Sequence, residues 1–179
     1  MSSEPQTPRS FLTIESPVGL LTMTASAGVI DGLMMDGQRH APPSDPAWVR
    51  EEAPFGELVT LLEDYFAGRP VEFDIPVSLS CGTDFQRRVW GALREIPYGA
   101  TISYGELARR VGSPGGARAV GLANGRNPIA IVVPCHRVIG ADGSLTGYGG
   151  GIERKAWLLR HEAGVRQLGE TGARVLSAA

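Results

Sequence analysis

Four consecutive residues, Pro134-Cys135-His136-Arg137, carry the sharpest chemistry in this chain. A thiol followed at once by an imidazole and a guanidinium sits in an electropositive setting that favours the thiolate. The His can serve as the base that removes the thiol proton, provided a carboxylate or a water fixes its tautomer. Glu162, on the last predicted helix, is the candidate for that carboxylate. Neighbouring side chains of an extended chain point to opposite faces, so a Cys–His pair here needs a kink or a bridging water. The competing reading of Cys135 is an inert buried thiol, and that reading is given to Cys81. Two Cys and three His suffice neither for a disulfide framework nor for a four-ligand zinc site. Both thiols are therefore expected free, in a reducing compartment, and no metal is expected.

The elements that must position these residues change in texture along the chain. Phe11 to Glu15, Leu20 to Ala25 and Val29 to Met35 read as short strands, and Gln38 to Pro46 as a surface loop. Phe55, Leu58, Val59, Leu62, Tyr65 and Phe66 recur at helical spacing, with Gly68 and Pro70 ending the helix. Val71 to Leu79 alternates as a further strand. After Cys81, Thr83 or Asp84 caps a helix through Phe85, Val89, Trp90 and Leu93. Ser103 and Glu106 form an S-x-x-E capping box for the next one. Gly112-Ser113-Pro114 breaks that helix and starts another, with Ser113 as cap, running to about Asn124. The pair reads as a helix-turn-helix. Its second helix is nearly smooth, with Ala117, Ala119, Gly121 and Ala123 around a projecting Arg118. Such a surface suits a close approach to a phosphate chain or shallow groove, and suits close helix packing equally well. Ile129 to Val133 reads as a buried strand delivering Cys135. The six glycines from Gly140 to Gly151 make a mobile or tightly bent loop, and Ile152 to Ala163 is a helix stopped by Gly164.

The fold class expected is α+β: a small N-terminal sheet-and-helix lobe over residues 1–80, then a mostly helical domain over 81–168 holding the helix-turn-helix and the nucleophile strand. Residues 169–179 are expected to be a disordered tail. Charge divides the same way. Residues 1–84 carry four Arg against thirteen acidic residues, whereas 85–160 carry eleven basic residues against four acidic ones. The second half is thus suited to a polyanion. The longest apolar run, Ile129 to Val133, is too short to span a bilayer, and Met1 to Ser10 lacks the apolar core of a signal peptide. A cytoplasmic protein without a membrane partner is expected.

The C-terminal half resembles the O6-alkylguanine–DNA alkyltransferases, single-use repair proteins also called methylated-DNA–protein-cysteine methyltransferases. The resemblance rests on Gly82-Thr83-Asp84-Phe85-Gln86, Val89-Trp90, Ile96-Pro97-Tyr98-Gly99 and Ser103-Tyr104-Gly105. It continues over Ala117-Arg118-Ala119-Val120-Gly121, Asn127-Pro128-Ile129, Pro134 to Gly140, Gly147-Tyr148-Gly149-Gly150 and Leu158 to Glu162, in family order and spacing. The N-terminal half matches mainly as a lobe of the expected size.

The resemblance implies a duplex-DNA partner bound through the minor groove, extrusion of an O6-alkylguanine, and irreversible transfer of its alkyl group to Cys135. O4-alkylthymine is a candidate second substrate. Arg118 would fill the vacated stack while Ala117, Ala119, Gly121 and Ala123 lie in the groove. His136, through water, would deprotonate Cys135, Glu162 would hold His136, and Tyr104 would donate toward the guanine ring. The Cys135 and Val138 carbonyls would accept from the exocyclic amine, Tyr148 and the Gly149 backbone would approach O6, and Asn127 would tie the helix-turn-helix to the nucleophile segment. No cofactor, no obligate protein partner and no turnover are implied; cooperative contacts between copies on DNA stay open. Gly149 replaces a frequent Ser, and Ala130 a Pro found in some relatives, so a roomier pocket is expected. The rival readings are a Cys-independent binder that flags damaged DNA, a helix-turn-helix regulator, and a thiol hydrolase.

Overall fold

The computed structural model describes residues 8–176, with side-chain surroundings to residue 164. The α+β expectation holds. Three antiparallel strands, β1 (Ser10–Ile14), β2 (Leu21–Ser26) and β3 (Val29–Met35), set Leu12, Met23 and Leu33 side by side in register. The β2–β3 hairpin turns through Ala27 and Gly28, both at positive φ, the geometry that follows the twist of the flanking strands. A two-residue strand, β4 (Val49–Arg50), adds in parallel to β1 and has no signal in the sequence pattern. Helix α1 (Gly56–Phe66) places Leu58, Leu62 and Tyr65 in the same buried cluster as Leu12, Met23 and Leu33.

The expected strand over Val71 to Leu79 does not form. Among the described residues its only ladder contact is the Ile30–Val77 bridge, closed by the Ser78 amide donating to the Ile30 carbonyl. Pro76 offers no donor, and the Asp74 amide turns back to the Glu72 carbonyl, so alternation buries Val71 and Ile75 without sheet pairing.

Helix α2 (Asp84–Arg94) starts with a full capping box between Thr83 and Gln86. Helix α3 (Tyr104–Arg110) uses half of one: Ser103 Oγ accepts from the Glu106 amide, while the Glu106 carboxylate pairs with Arg109 and Arg110 instead. Helix α4 (Ala117–Gly125) begins later than expected, because Ser113 to Gly116 closes a turn on itself and Gly115 takes a positive φ. The two-stranded parallel sheet of β5 (Ile102–Ser103) and β6 (Val138–Ile139) brings the start of α3 against the segment after Cys135.

The expected nucleophile strand does not form either. Ile129 to Val133 is buried, but only Ile129 pairs, with Leu33. Ile131 takes φ of +69°, a position that costs a β-branched residue strain. Cys135–Arg137 then form one turn of 3-10 helix, the kink that an adjacent Cys and His require. Helix α5 (Ile152–Leu176) runs straight through Gly164, since a lone glycine weakens a helix by only about 1 kcal/mol. Most of the expected tail is therefore helical, and residues 177–179 lie outside the described residues. Among the described residues no helix is long and apolar enough to cross a membrane.

Candidate active site

Asn127 organises the nucleophile turn. Its Oδ1 accepts from the Ile129 amide at 3.1 Å, and its Nδ2 donates to the Val133 carbonyl at 2.7 Å and to Cys135 Sγ at 3.0 Å. The strained segment from Ile129 to Cys135 is thus folded around one carboxamide, which needs both an acceptor and a donor. From the other side, Asn124 Nδ2 donates to the Cys135 carbonyl at 3.2 Å. Trp90 Nε1 donates to the Ala123 carbonyl at 2.9 Å, fixing α4 on α2.

Behind the thiol, His136 and Glu162 are both sequestered from solvent. His136 Nε2 donates to Glu162 Oε1 at 2.7 Å, leaving Nδ1 buried and, among the described residues, without a hydrogen-bond partner. Arg137 closes on both carboxylate oxygens, Nε to Oε2 at 2.9 Å and Nη2 to Oε1 at 3.1 Å, and its Nη1 donates to the Ile96 carbonyl. The Gly99 amide and the Tyr65 hydroxyl complete the set at 3.1 and 2.9 Å. Burial alone would raise the Glu162 carboxyl, but hydrogen bonds from His136 and Arg137, together with the Arg137 charge, outweigh it and hold the group at about 2. Burial pushes His136 below its ordinary value, so its neutral form prevails, protonated on Nε2 with Nδ1 as a free acceptor.

The thiol does not behave as its basic neighbours suggest. Burial raises Cys135 to about 11, and the opposing effects of Asn127 and Lys155 are too small to reverse this. At rest it is a thiol, and its activation depends on a base.

Lys155, the only lysine of the chain, lies in none of the motifs that single out the other site residues. It is fully buried and lowered by burial to about 8. Its Nζ donates to the Val138 carbonyl at 2.5 Å and the Thr146 carbonyl at 2.9 Å, and it lies over the Tyr104 ring. Tyr104 donates to the same Thr146 carbonyl at 2.8 Å. Both carbonyls assigned to the guanine amine, those of Cys135 and Val138, therefore already have internal donors. Tyr104 is raised, by burial first, and so remains a donor.

Cys135, Asn127, Tyr148 and Gly149 meet at one small cavity, with Asn124 and Gln38 as unforeseen members. The free space there is about 10 Å³, room for about one water. The roomier pocket expected from Gly149 and Ala130 is absent. A Cβ at Gly149 would stand 3.3 Å from the Gly125 carbonyl and 3.5 Å from that of Arg39, because the loop after β3 fills the space. The Arg39 amide donates to the Gly149 carbonyl at 2.8 Å. This cavity adjoins an outer cleft of about 550 Å³, with which it shares Gly125, Tyr148 and Gly149, and which Arg39, Leu122 and Arg126 also line.

Helix α4 presents Arg118 and Ala119 to solvent, with Ala117 and Gly121 half-buried and Gly121 set against the Tyr104 ring. Ala123 departs from the expected face: it is buried beneath Trp90, as a helical position five residues from Arg118 must be. Leu122 is 67% exposed instead, so Arg118, Leu122 and Arg126 form the outward stripe at four-residue spacing.

Residues 84–164 match the family model described as 6-O-methylguanine DNA methyltransferase, DNA binding domain, and residues 11–79 match the same family's ribonuclease-like domain. The chain is 56% identical over 152 residues to a methylated-DNA–protein-cysteine methyltransferase of Mycolicibacterium paratuberculosis, covering 85% of this chain and 91% of the relative. It is 49% identical to one of Methanosarcina acetivorans, covering 85% and 97%. The crystal structure of Mycobacterium tuberculosis OGT in complex with DNA is similar at a TM-score of 0.81 and 54% identity, covering 87% of this chain and 94% of that one.

Proposed function

From the premise that the chain belongs to the 6-O-methylguanine DNA methyltransferase family, we propose that Cys135 is the acceptor of a single, irreversible alkyl transfer from O6-alkylguanine in duplex DNA. The protein is a methylated-DNA–protein-cysteine methyltransferase acting in DNA repair, and DNA is its substrate. The observation that carries the assignment of roles is the buried array behind the thiol: a neutral His136 anchored through Nε2 on Glu162, its Nδ1 bare, next in chain to a thiol that burial keeps protonated.

In this reading His136 Nδ1 takes the Cys135 proton through a water. The thiolate sulfur attacks the alkyl carbon, the C–O bond breaks, and its electron pair passes to the guanine, which Tyr104 protonates on the ring; the phenol then regains a proton from solvent as His136 releases the one taken from the thiol. Asn127 holds the sulfur in line. The product thioether is a poor leaving group, so one molecule acts once. Arg118 enters the stack from α4, and Ala117, Ala119 and Gly121 let that helix approach the minor groove, while buried Ala123 contributes by packing. Since Val138 already accepts from Lys155 and the cavity holds about one water, the segment from Gly147 to Gly149 opens to admit the base, with Tyr148 at its rim. Residues 1–80 act as scaffold and 81–168 carry DNA binding and transfer, a division that the two family-model matches support.

The test is intact-protein and peptide mass after mixing with a duplex containing one O6-methylguanine. One methyl group gained on the Cys135 peptide, and none in Cys135→Ser, is the expected result. Tight lesion-specific binding without a mass gain would favour a damage-flagging binder instead.

A further inference from the structure

Tyr65 belongs to α1, in the lobe read as a scaffold, yet its hydroxyl lies inside the array that activates the thiol. It donates to Glu162 Oε1 at 2.9 Å, the oxygen that also accepts from His136 Nε2 at 2.7 Å. The side chain is fully buried and firmly held. The rings of Phe66, Phe73, Tyr98 and His161 pack on it at centroid distances of 5.3, 5.7, 5.9 and 5.2 Å. His161 Nε2 also donates to the Tyr65 carbonyl at 2.6 Å. A phenylalanine would fill this aromatic cluster without a buried hydroxyl to satisfy. Burial raises the phenol far above its ordinary range, so it acts as a donor throughout.

We propose that Tyr65 is a positioning residue for alkyl transfer, one that sets, through Glu162, how readily His136 gives up and takes a proton. The inference rests on the reading of His136 as the base for Cys135. Glu162 Oε1 receives three donors, from Tyr65, His136 and Arg137, and Oε2 receives two, from Arg137 and Gly99. Each added donor draws electron density from the carboxylate and weakens its hold on an imidazolium. Arg137 already supplies the full counter-charge, so Glu162 does not require a protonated His136. Among the described residues, the charged and titratable groups facing this pair are Cys135 and Arg137 from the nucleophile turn, Lys155 from α5, Tyr65 from α1, Tyr98 from the loop after α2, and Tyr148 from the glycine-rich loop. The Tyr98 hydroxyl is buried without a partner among the described residues and makes no bond to Glu162. Tyr65 and Arg137 are thus the groups that share Oε1 with His136, and Tyr65 alone of these two can lose its donor without a change in net charge.

Removing the hydroxyl makes Oε1 a stronger acceptor for His136, stabilises the imidazolium, and moves the loss of activity at low pH toward higher pH. The experiment is single-turnover methyl transfer at saturating lesion duplex, followed by rapid quench from about pH 5 to about pH 9. Tyr65→Phe is expected to shift the acid limb upward by about 0.5–1 pH unit. Phe73→Leu loosens the same aromatic cluster without touching Glu162, and is expected to lower stability with the limb in place. 3-Fluorotyrosine at position 65 has a more acidic hydroxyl and donates more strongly, so its limb is expected to move down. Coincident limbs for wild type and Tyr65→Phe, an equal shift in Phe73→Leu, or an upward shift with fluorotyrosine would each overturn the proposal. If the wild type gains no methyl on Cys135, or His136→Gln retains the acid limb, the reading of the site itself fails. With those two controls in order, a stationary Tyr65→Phe limb refutes the role of Tyr65 alone.

Discussion

Replacing Glu162 by Gln separates what the buried carboxylate does for the fold from what it does for the reaction. The Glu162 and Arg137 side chains are 1% and 7% exposed, so the substitution strands a buried guanidinium and turns an amide donor toward donors from Tyr65, Gly99, His136 or Arg137. Breaking a buried pair at one end costs about 3–5 kcal/mol. For a chain of this size that lowers the melting temperature by about 6–20 °C. The transfer step loses the group that fixes the His136 tautomer, and the rate of a general-base step falls about 10²- to 10⁴-fold. A second substitution, Arg137→Met, distinguishes the two effects. Glu162→Gln with Arg137→Met removes the stranded charge and is expected to recover about half or more of the lost stability, because a buried pair exchanged for packed apolar volume is close to neutral. It does not restore the carboxylate that orients His136. Urea unfolding gives the stability cycle, and quench-flow methyl transfer at a temperature where each variant is folded gives the rates. Glu162→Gln transferring within tenfold of wild type, or losing less than about 1 kcal/mol, would refute the reasoning.

Acid sensitivity follows from the same carboxylate. Its folded-state value of about 2 lies below the ordinary 4.5, so about 3 kcal/mol of stability is present above pH 4.5 and is lost as the pH falls toward 2. The urea midpoint of the wild type is expected to fall across that window, and that of Glu162→Gln to fall much less. Cys81, read from the sequence as an inert buried thiol, is exposed, so iodoacetamide at neutral pH is expected to label it and spare buried Cys135, whose thiol stands at about 11, as peptide mapping would show. Gly82→Ala sets a methyl group into the Trp90 ring, which is locked between α2 and the Ala123 carbonyl, and is expected to cost about 1–3 kcal/mol in urea unfolding.

The sequence pattern located Cys135, His136 and Glu162 because their chemistry is carried by residue type: a thiol beside an imidazole, and a carboxylate on the last helix. The strand hairpins and the Thr83 cap were legible because turn and cap chemistry is local. What escaped depends on contacts between distant segments. Nothing around Tyr65 distinguishes it from Phe66 next to it, since its meaning comes from Glu162 across the lobe interface. Gln38 and Arg39 look like any surface loop until β3 brings them against Gly149. Lys155 did carry one unused signal, as the single lysine among sixteen arginines, on the helix face that also bears Glu162. Alternation over Val71 to Leu79 misled because burial without pairing leaves the same trace as a strand. The expected thiolate failed for a similar reason: nearby charges can be read from sequence, whereas full burial of Cys135 cannot.

That failure bears on why the chemistry is arranged this way. A thiol at about 11 leaves about one molecule in ten thousand as thiolate at pH 7. For a protein that reacts once, a standing thiolate would be consumed by any passing electrophile or oxidant. Here the proton is retained by burial, and the cavity in front of the sulfur has space for about one water. His136 Nδ1, the proton acceptor on the mechanism proposed above, is kept neutral and bare beside a carboxylate whose charge Arg137 has already balanced. Nucleophile and base are thus stored uncharged, side by side, with the ion pair they would form disfavoured by burial until an incoming substrate makes the thiolate useful. On this logic Glu162 must not be too strong a partner for His136, for an over-basic carboxylate would hold the imidazole protonated and unable to act. The five donors gathered on one buried carboxylate, including one reaching across from α1, provide that restraint.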